Sequence, residues 1–278
     1  MTGIVCPPNQ EKDEARMNIV VCVKHVPDAQ ADRGFNEADN TVDRTGVDGL
    51  LSELDEYAVE EALKLAEATG GEVTVVTVGP DQAADAVKKA LQMGADKGVH
   101  VSDEAIHGSD APATSLVLAE AIKKATDGSP ELVITGMVST DGTMGVVPAM
   151  LAERLGLPQV TFASEMNVEG DKVTIKRDND ANTETIEAPV PALVSVTDQI
   201  NEPRYPSFKG IMAAKKKPVE TWSLADLGID VGQVGLENSW TKVVEVTKRP
   251  PREQGEVIKD EGDGGTKLAE FLASRKFV

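Results

Sequence analysis

"ELVITGMVSTDGTMGVVPAMLAERLG", residues 131–156, decides the fold. A short apolar run, Glu131–Gly136, stops at a glycine, a polar turn with two further glycines follows, and a helical pattern then runs to Gly156. Strand, Gly-rich turn and helix in that order form half of a βαβ unit. The same order recurs upstream. "NIVVCVKHV", Asn18–Val26, is a β-branched run with little polar alternation, as a central parallel strand requires. Asp28 to Arg44 reads as a loop or short irregular hairpin. Ser52 then predicts an N-cap, with Asp55 as its capping-box partner, for a helix carrying Leu54, Ala58, Ala62 and Leu65 up to Gly70-Gly71. Val73–Val78 predicts the next strand, and Asp81 caps a predicted helix ending at Gly94. Gly98–Val101 predicts a short strand before a helix from about Ala111 to Thr126. The alternation predicts the α/β class, with a doubly wound, mostly parallel sheet and right-handed crossovers.

Beyond Pro158 the period changes to two. Lys172–Arg177 and Thr183–Ile186 predict an antiparallel pair, Gly170-Asp171 a hairpin turn, and Ala192–Val196 a strand returning to the sheet. This predicts an antiparallel addition within one α/β domain, residues 17–212. From about Gly210 regularity fades, and residues 235–266 are rich in Gly, Pro and charge. Residues 213–278 are therefore expected to form an extended C-terminal arm, closed by an amphipathic helix with Leu268, Phe271 and Leu272. Residues 1–16 precede the first strand and are expected to be a disordered extension or a start-codon artefact.

The 278 residues carry 28 Lys+Arg against 47 Asp+Glu, a formal charge of −19, with 3% aromatics. That balance argues against nucleic acid and anionic membranes as principal partners, since both reward basic surfaces. No apolar run approaches a membrane span and no secretory signal opens the chain, so no membrane insertion and a cytoplasmic location are expected. Cys6 and Cys22 offer neither a disulfide framework nor a metal spacing, and a reducing compartment suits them. His25, His100 and His107 are scattered, so no metal site is expected.

No nucleophile–base constellation appears, and no catalytic residue is assigned. The most site-like stretch is Gly136–Pro148, at the carboxyl end of a predicted strand, where open α/β sheets bind ligands. Gly142 and Gly145 would let backbone N–H groups approach an anion, and Asp141, Thr140 and Thr143 could add hydrogen bonds. It is neither a Walker loop nor a GxGxxG fingerprint, so a plain helix start competes with a phosphate site. The strand ends Cys22–Lys24 and Val78–Gly79 should converge on the same crevice. Cys22 reads as a small buried hydrophobe rather than a reactive thiol.

One stretch breaks the acidic, aromatic-poor pattern: "NEPRYPSFKGIMAAKKK", Asn201–Lys217. With "VCVKHVPD" (21–28), "DEYAVEEAL" (55–63), "ALQMGADKGVHV" (90–101) and "STDGTMG" (139–145), it resembles the beta subunits of electron-transfer flavoproteins, actinobacterial members in particular. The resemblance runs from about Met17 to the carboxyl end. It implies an adenine-nucleotide alpha-hydrolase-like fold and an αβ heterodimer. FAD is then shared and mainly held by the alpha subunit, while a structural AMP lies in the beta subunit. The AMP pocket would use Cys22, Ser52, Glu53, Leu54, Asp55 and Val78. It would be completed by Gly136, Asp141, Gly142, Thr143, Met144, Gly145 and Val146, the last three at the phosphate. The family's turn commonly reads D-G-D-T-A-Q-V-G, and the present DGTMGVV is one residue shorter. Its helix start commonly reads N-P-F, where this chain has Ser52-Glu53-Leu54. Some relatives hold a second FAD in place of AMP and bifurcate electrons.

The resemblance also implies that residues 203–213 form a recognition loop docking on acyl-CoA dehydrogenases and related flavoenzymes. Electrons would then pass to a membrane quinone oxidoreductase and the quinone pool. Phe208 would be the apolar anchor, flanked by Tyr205, Pro206 and Ile211, with Arg204 and Lys209 as polar rim contacts. Against this stands Phe208 packed in its own core. Lys215–Lys217 read as the solvated end of the segment. Residues 213–278 would pack on the alpha subunit. Competing functions are a stand-alone nucleotide sensor of the universal-stress type and a nucleotide-using enzyme such as an amide ligase or sulfurylase. The long C-terminal stretch argues against the sensor, and the lack of a catalytic constellation against the enzyme.

Overall fold

Ile19 and Val21 pack into one hydrophobic core and the intervening Val20 into another, on opposite faces of a sheet buried on both sides. The structure is a computed structural model that describes residues 17–251, 255, 257 and 259–278. It opens with β1 (Asn18–Cys22), β2 (His25–Pro27) and β3 (Gly49–Leu51), followed by α1 (Glu53–Thr69). β4 (Glu72–Val78), α2 (Ala84–Met93), β5 (Lys97–Val101), α3 (Ala111–Ala125), β6 (Leu132–Gly136) and α4 (Val147–Leu155) continue the alternation. β7 (Gln159–Ala163) leads to β8 (Glu165–Glu169), β9 (Lys172–Asp178) and β10 (Thr183–Pro189), and β11 (Ala192–Val196) returns. α5 (Phe208–Ala214) and β12 (Val219–Trp222) follow, and α6 (Gly264–Ser274) lies near the end.

Seven strands form one sheet in the order β12-β5-β4-β1-β6-β11-β7, every neighbouring pair parallel. The α/β class and the parallel, doubly wound sheet therefore stand. α1 and α2 cover one face through Ala58, Val59, Ala62, Ala86 and Val87, while α3 and α4 cover the other through Val117, Ile122 and Leu151. The chain leaves β1 toward β4 and β5, then returns to β1's other side with β6. The carboxyl ends of β1 and β6 thus form a topological switch point, where such sheets open a crevice. β8, β9 and β10 make the expected antiparallel addition, β9 and β10 pairing from Lys172↔Pro189 to Asp178↔Thr183.

Several expectations change. The run Asn18–Val26 is two strands, because the chain turns at Lys24 and β2 pairs antiparallel with β3, away from the main sheet. Ser52 holds the N-cap position of α1, but its hydroxyl caps nothing, and Asp55 turns to the backbone of Lys24 instead. Asp81 likewise makes no cap bond. The expected boundary at 212 moves outward. β12 adds to the sheet beside β5, and Leu224, Ile229 and Val234 are buried against the α3 core, so the compact unit runs to Val244. Those apolar residues are spaced singly, too sparsely to read as a strand or helix face. Glu245–Val278 form a second unit containing α6, which spans Leu268, Phe271 and Leu272. The expectation for residues 1–16 lies outside the described residues. No helix among the described residues is long and apolar enough to cross a membrane.

Candidate functional site

At the switch point the chain turns back on itself three times. Lys24, two residues past β1, donates its backbone N–H to Asp55 Oδ2 at 2.8 Å and accepts from the Ser52 N–H at 2.9 Å. The first turn of α1 is thereby tied to the end of β1. Gly136 closes β6 against the same carboxylate. A Cβ there would sit 2.5 Å from Asp55 Oδ1 and 3.0 Å from the Leu54 carbonyl oxygen, so only glycine lets the two elements approach.

The turn from Gly136 to Val146 is held by cations from outside it. Lys24 Nζ bonds Asp141 Oδ1 at 2.8 Å, Arg44 Nη2 bonds Oδ2 at 3.2 Å, and Arg33 Nη1 donates to the Thr140 carbonyl at 2.8 Å. The Asp141 side chain is only 2% exposed, and its carboxylate also accepts from the Gly142 N–H at 2.6 Å. Thr143 and Gly145 both take left-handed backbone conformations, with φ of 48° and 66°. Val146 then caps α4 without a side-chain bond. Met144 is exposed at the tip.

The electrostatics follow from burial and partners. Burial pushes the Asp55 carboxyl up to about 7, against the pull of the Lys24 N–H and ammonium. Burial also works to raise Asp141, but Lys24, Ser139 and Arg44 outweigh it and hold that carboxyl well below the usual range. Cys22 keeps some exposed surface. Even so, its apolar surroundings desolvate the sulfur, and with Asp55 adjacent the thiol is pushed up to about 12. It is an unreactive thiol at neutral pH.

Ser52 Oγ, Thr77 Oγ1, Thr135 Oγ1 and Thr140 Oγ1 are buried with no protein hydrogen-bond partner. Thr77 and Thr135 are the penultimate residues of β4 and β6, Ser52 opens α1, and Thr140 lies in the turn. Buried hydroxyls are ordinarily satisfied. Thr77 faces the α1/α2 side of the sheet and Thr135, with Cys22, the α3/α4 side, so the four do not line one surface. Ser52 beside Lys24, Thr135 at the end of β6 and Thr140 in the cation-held turn fit a polar, anionic ligand.

The residues expected in the pocket thus divide. Cys22, Asp55, Gly136 and Asp141 come together, and Ser52, Leu54 and Val78 stand at the neighbouring chain ends. Glu53 is exposed. Of the turn residues, Gly142, Thr143 and Met144 are exposed, and Gly145 and Val146 are half-buried. Lys24 was expected here only as the end of a strand, not as a cation on the turn, and Arg33 and Arg44 were not expected at all. The position of Lys24 just past a strand end is a signal, but nothing in the loop marks which of its basic residues returns to the turn.

The second expected site lies elsewhere along the chain. Tyr205 and Phe208 are 93% and 81% exposed, so Phe208 is not packed in the core. Residues Phe208–Ala214 form a short helix rather than an open loop, because Ser207 Oγ accepts from the Gly210 N–H at 3.0 Å and caps it. Lys209 and Ile211 are exposed and Pro206 is half-buried. Arg204 is not a free rim contact. Its guanidinium is bound to Glu60 and Glu67 of α1. Lys217 is not a solvated end either: its ammonium donates to the carbonyls of Leu91, Gly94 and Ala95 at the carboxyl end of α2.

A model of the electron transfer flavoprotein domain matches residues 39–227. The chain is 49% identical over 266 residues to the electron transfer flavoprotein subunit beta of Mycobacterium leprae, covering 94% of this chain and 99% of that one. Identity is 47% over 266 residues to the same subunit of Mycobacterium bovis, with the same coverage. It is 39% over 271 residues to that of Megasphaera elsdenii, covering 94% of this chain and all of the other.

Proposed function

The chain belongs to the electron transfer flavoprotein family as a beta subunit, and from that premise we propose that it is half of an electron-carrying heterodimer. In this reading it carries a structural AMP in the switch-point crevice and docks on acyl-CoA dehydrogenases and related flavoenzymes through residues 203–213. An alpha subunit completes the carrier and mainly holds FAD. The flavin supplies reversible electron storage when bound. The carrier then passes electrons to a membrane quinone oxidoreductase, in the cytoplasm and within fatty acid oxidation. The residues of this chain have other tasks.

The observation that carries the reading is the exposure of Tyr205 and Phe208 on a segment fixed to the domain at both ends. One exposed aromatic anchor suffices for a small transient interface, in which a few residues supply most of the energy. The crevice supports the nucleotide. The N–H groups of Met144, Gly145 and Val146 would face its phosphate. Lys24 and Arg44 would supply positive potential, and the unpartnered hydroxyls of Ser52, Thr135 and Thr140 would supply polar contacts. Asp55 and Asp141 hold these groups in place. Contacts made by main chain explain why the side chains of the turn look chemically plain.

Acid release of nucleotides from the purified heterodimer tests this. One FAD and one AMP per heterodimer are expected; two FAD and no AMP would overturn the structural-AMP reading in favour of a bifurcating carrier. Gly145→Asp should lose the AMP, because its carboxylate adds bulk and like charge beside the phosphate, while FAD remains. Phe208→Ala should raise the carrier concentration needed for half-maximal electron transfer from a dehydrogenase, with flavin content unchanged.

A further inference from the structure

Two of the motifs in this sequence meet in space. "DEYAVEEAL" supplies the middle of α1, and "NEPRYPSFKG" runs across it. Asn201 Nδ2 donates to the Tyr57 carbonyl and to Glu61 Oε2, both at 3.0 Å. Arg204 grips Glu60 with three bonds: its backbone N–H to Oε2 at 3.1 Å, Nε to Oε2 at 2.7 Å and Nη2 to Oε1 at 3.0 Å. Its remaining fork spans Glu67, with Nη1 to Oε1 at 2.5 Å and Nη2 to Oε2 at 3.2 Å. Four of the guanidinium's five N–H groups are thus committed inside the chain.

We propose that Arg204 is a positioning residue for partner docking: clamped on Glu60 and Glu67, it presets the backbone that presents Tyr205 and Phe208, and it makes no contact with the partner itself. The inference rests on the docking role proposed above for residues 203–213. Three observations support it. The Glu60 side chain is only 8% exposed, so its carboxylate is unavailable to an incoming protein and serves Arg204 alone. Bidentate, charge-assisted bonds to a largely desolvated carboxylate are the strong, geometrically specific kind. The far end of the segment is fastened as well, by Lys217 on the end of α2 and by Gly210, whose missing Cβ would lie 2.5 Å from the Gln92 carbonyl oxygen.

Ordering a free loop costs about 1–2 kcal/mol per residue. A segment fixed before the encounter has already met that cost, so its few apolar contacts translate more fully into affinity. With Arg204 turned inward, the exposed charges of the segment around the aromatics are those of Glu202, Lys209, Lys215 and Lys216.

The test uses the intact FAD-loaded heterodimer and a purified acyl-CoA dehydrogenase, with electron transfer measured against carrier concentration. Arg204→Gln and Glu60→Gln should each raise the half-saturating concentration by about tenfold, a loss of one ordered turn's worth of affinity, with the maximal rate unchanged. The double variant should be no worse than either single one, because both break the same clamp. Arg204→Lys should not restore binding, since an ammonium has no planar fork with which to hold Glu60 and Glu67 each by two bonds. Glu67→Gln, at the exposed end of the clamp, should give a milder loss in a chain whose folding is undisturbed. Backbone amides of residues 205–214 should exchange faster in all of these variants.

A loss in Arg204→Gln with none in Glu60→Gln would overturn the proposal, because Arg204 would then be touching the partner directly. Unchanged amide exchange in Arg204→Gln would also overturn it, whatever the kinetics. If Phe208→Ala alone leaves transfer untouched, the docking reading fails, and amide exchange still decides whether the clamp orders the segment.

Discussion

The crevice and the proposed docking segment, residues 201–217, use the same device turned in opposite directions. In each, side-chain hydrogen bonds fasten a stretch of backbone, the turn through side chains from elsewhere and the segment through its own. Lys24, Arg44 and Arg33 hold the turn through Asp141 and the Thr140 carbonyl. Arg204, Asn201 and Lys217 hold residues 201–217 to α1 and α2. The crevice then offers main-chain N–H groups and buried hydroxyls, whereas the segment offers exposed aromatic rings. Helix α1 serves both, with Asp55 in its first turn and Glu60 and Glu61 farther along. A site made of main chain is tuned by what is buried beneath it; a site made of exposed rings is tuned by what holds its ends.

The sharpest way to separate the two regions is pH. The Asp55 carboxyl, ordinarily at 3.8, is pushed up to about 7 by burial. Between those values the folded chain keeps a proton that the unfolded chain has released. The stability this confers is present below pH 4 and declines as pH rises toward 7. Asp141 works with the opposite sign: held far below its ordinary value, it contributes stability above about pH 4 that is lost only in stronger acid. Asp55→Asn keeps an acceptor for the Lys24 N–H and removes the titration. It should flatten the decline between pH 4 and 7, by at most a few kcal/mol, as read by denaturant unfolding of the heterodimer at a series of pH values. An unchanged slope would mean that the crevice is open enough to solvate Asp55. The docking segment should contribute little in this window, since Glu67, bonded to Arg204, is held below its usual range and stays ionised.

Glycine substitutions come next in size, and they act for different reasons in the two regions. Gly210 has an ordinary backbone conformation, but an added Cβ would meet the Gln92 carbonyl oxygen at 2.5 Å. Gly210→Ala must lift α5 from α2, costing about 1–3 kcal/mol as an overpacked contact does, and docking should weaken with it. Gly145 has open space around it, the nearest atom being the Met137 carbonyl oxygen at 4.0 Å, but its φ is +66°. Gly145→Ala should cost about 1 kcal/mol of conformational strain. Thermal unfolding of the two variants side by side checks the ranking. Equal losses would show that the Gln92 contact yields to an added Cβ at little more than the cost of the conformational strain at Gly145.

Much of this was legible before any coordinates, and unevenly so. β-branched runs and Gly-ended helices placed most of the parallel sheet, because burial on both faces leaves a Val-, Ile- and Thr-rich signature with little charge in β1, β4 and β6. β12 stayed hidden because it is four residues long, at a sheet edge, with only Trp222 buried. The segment 201–217 stood out because Tyr205 and Phe208 sit among Arg204, Lys209 and Lys215–Lys217 in an acidic, aromatic-poor chain. The crevice was legible as a Gly-rich turn but not in its cations: the pairing of Arg44 with Asp141 spans the fold and has no local period. Arg204 shows the same limit. Its neighbours suggested an exposed role, while its partners lie far back in the sequence on α1.

The smallest predicted effect concerns the end of the segment that the clamp does not reach. Lys217 Nζ donates to the carbonyls of Leu91, Gly94 and Ala95 at 3.2, 2.8 and 2.6 Å. These groups end α2, where the helix dipole is negative and carbonyl oxygens lack partners within the helix. Part-burial lowers the ammonium's pKa, so desolvation offsets some of what the bonds contribute. Lys217→Met keeps the stem that packs against α2 and removes only the charge and its three bonds. The expected loss of stability is about 1 kcal/mol, with faster amide exchange at residues 214–217 and only slightly weaker docking. If Lys217→Met instead weakened docking as much as Arg204→Gln, the two fastenings would be equal in weight, and the asymmetry drawn here between the Arg204 and Lys217 ends of the segment would be lost.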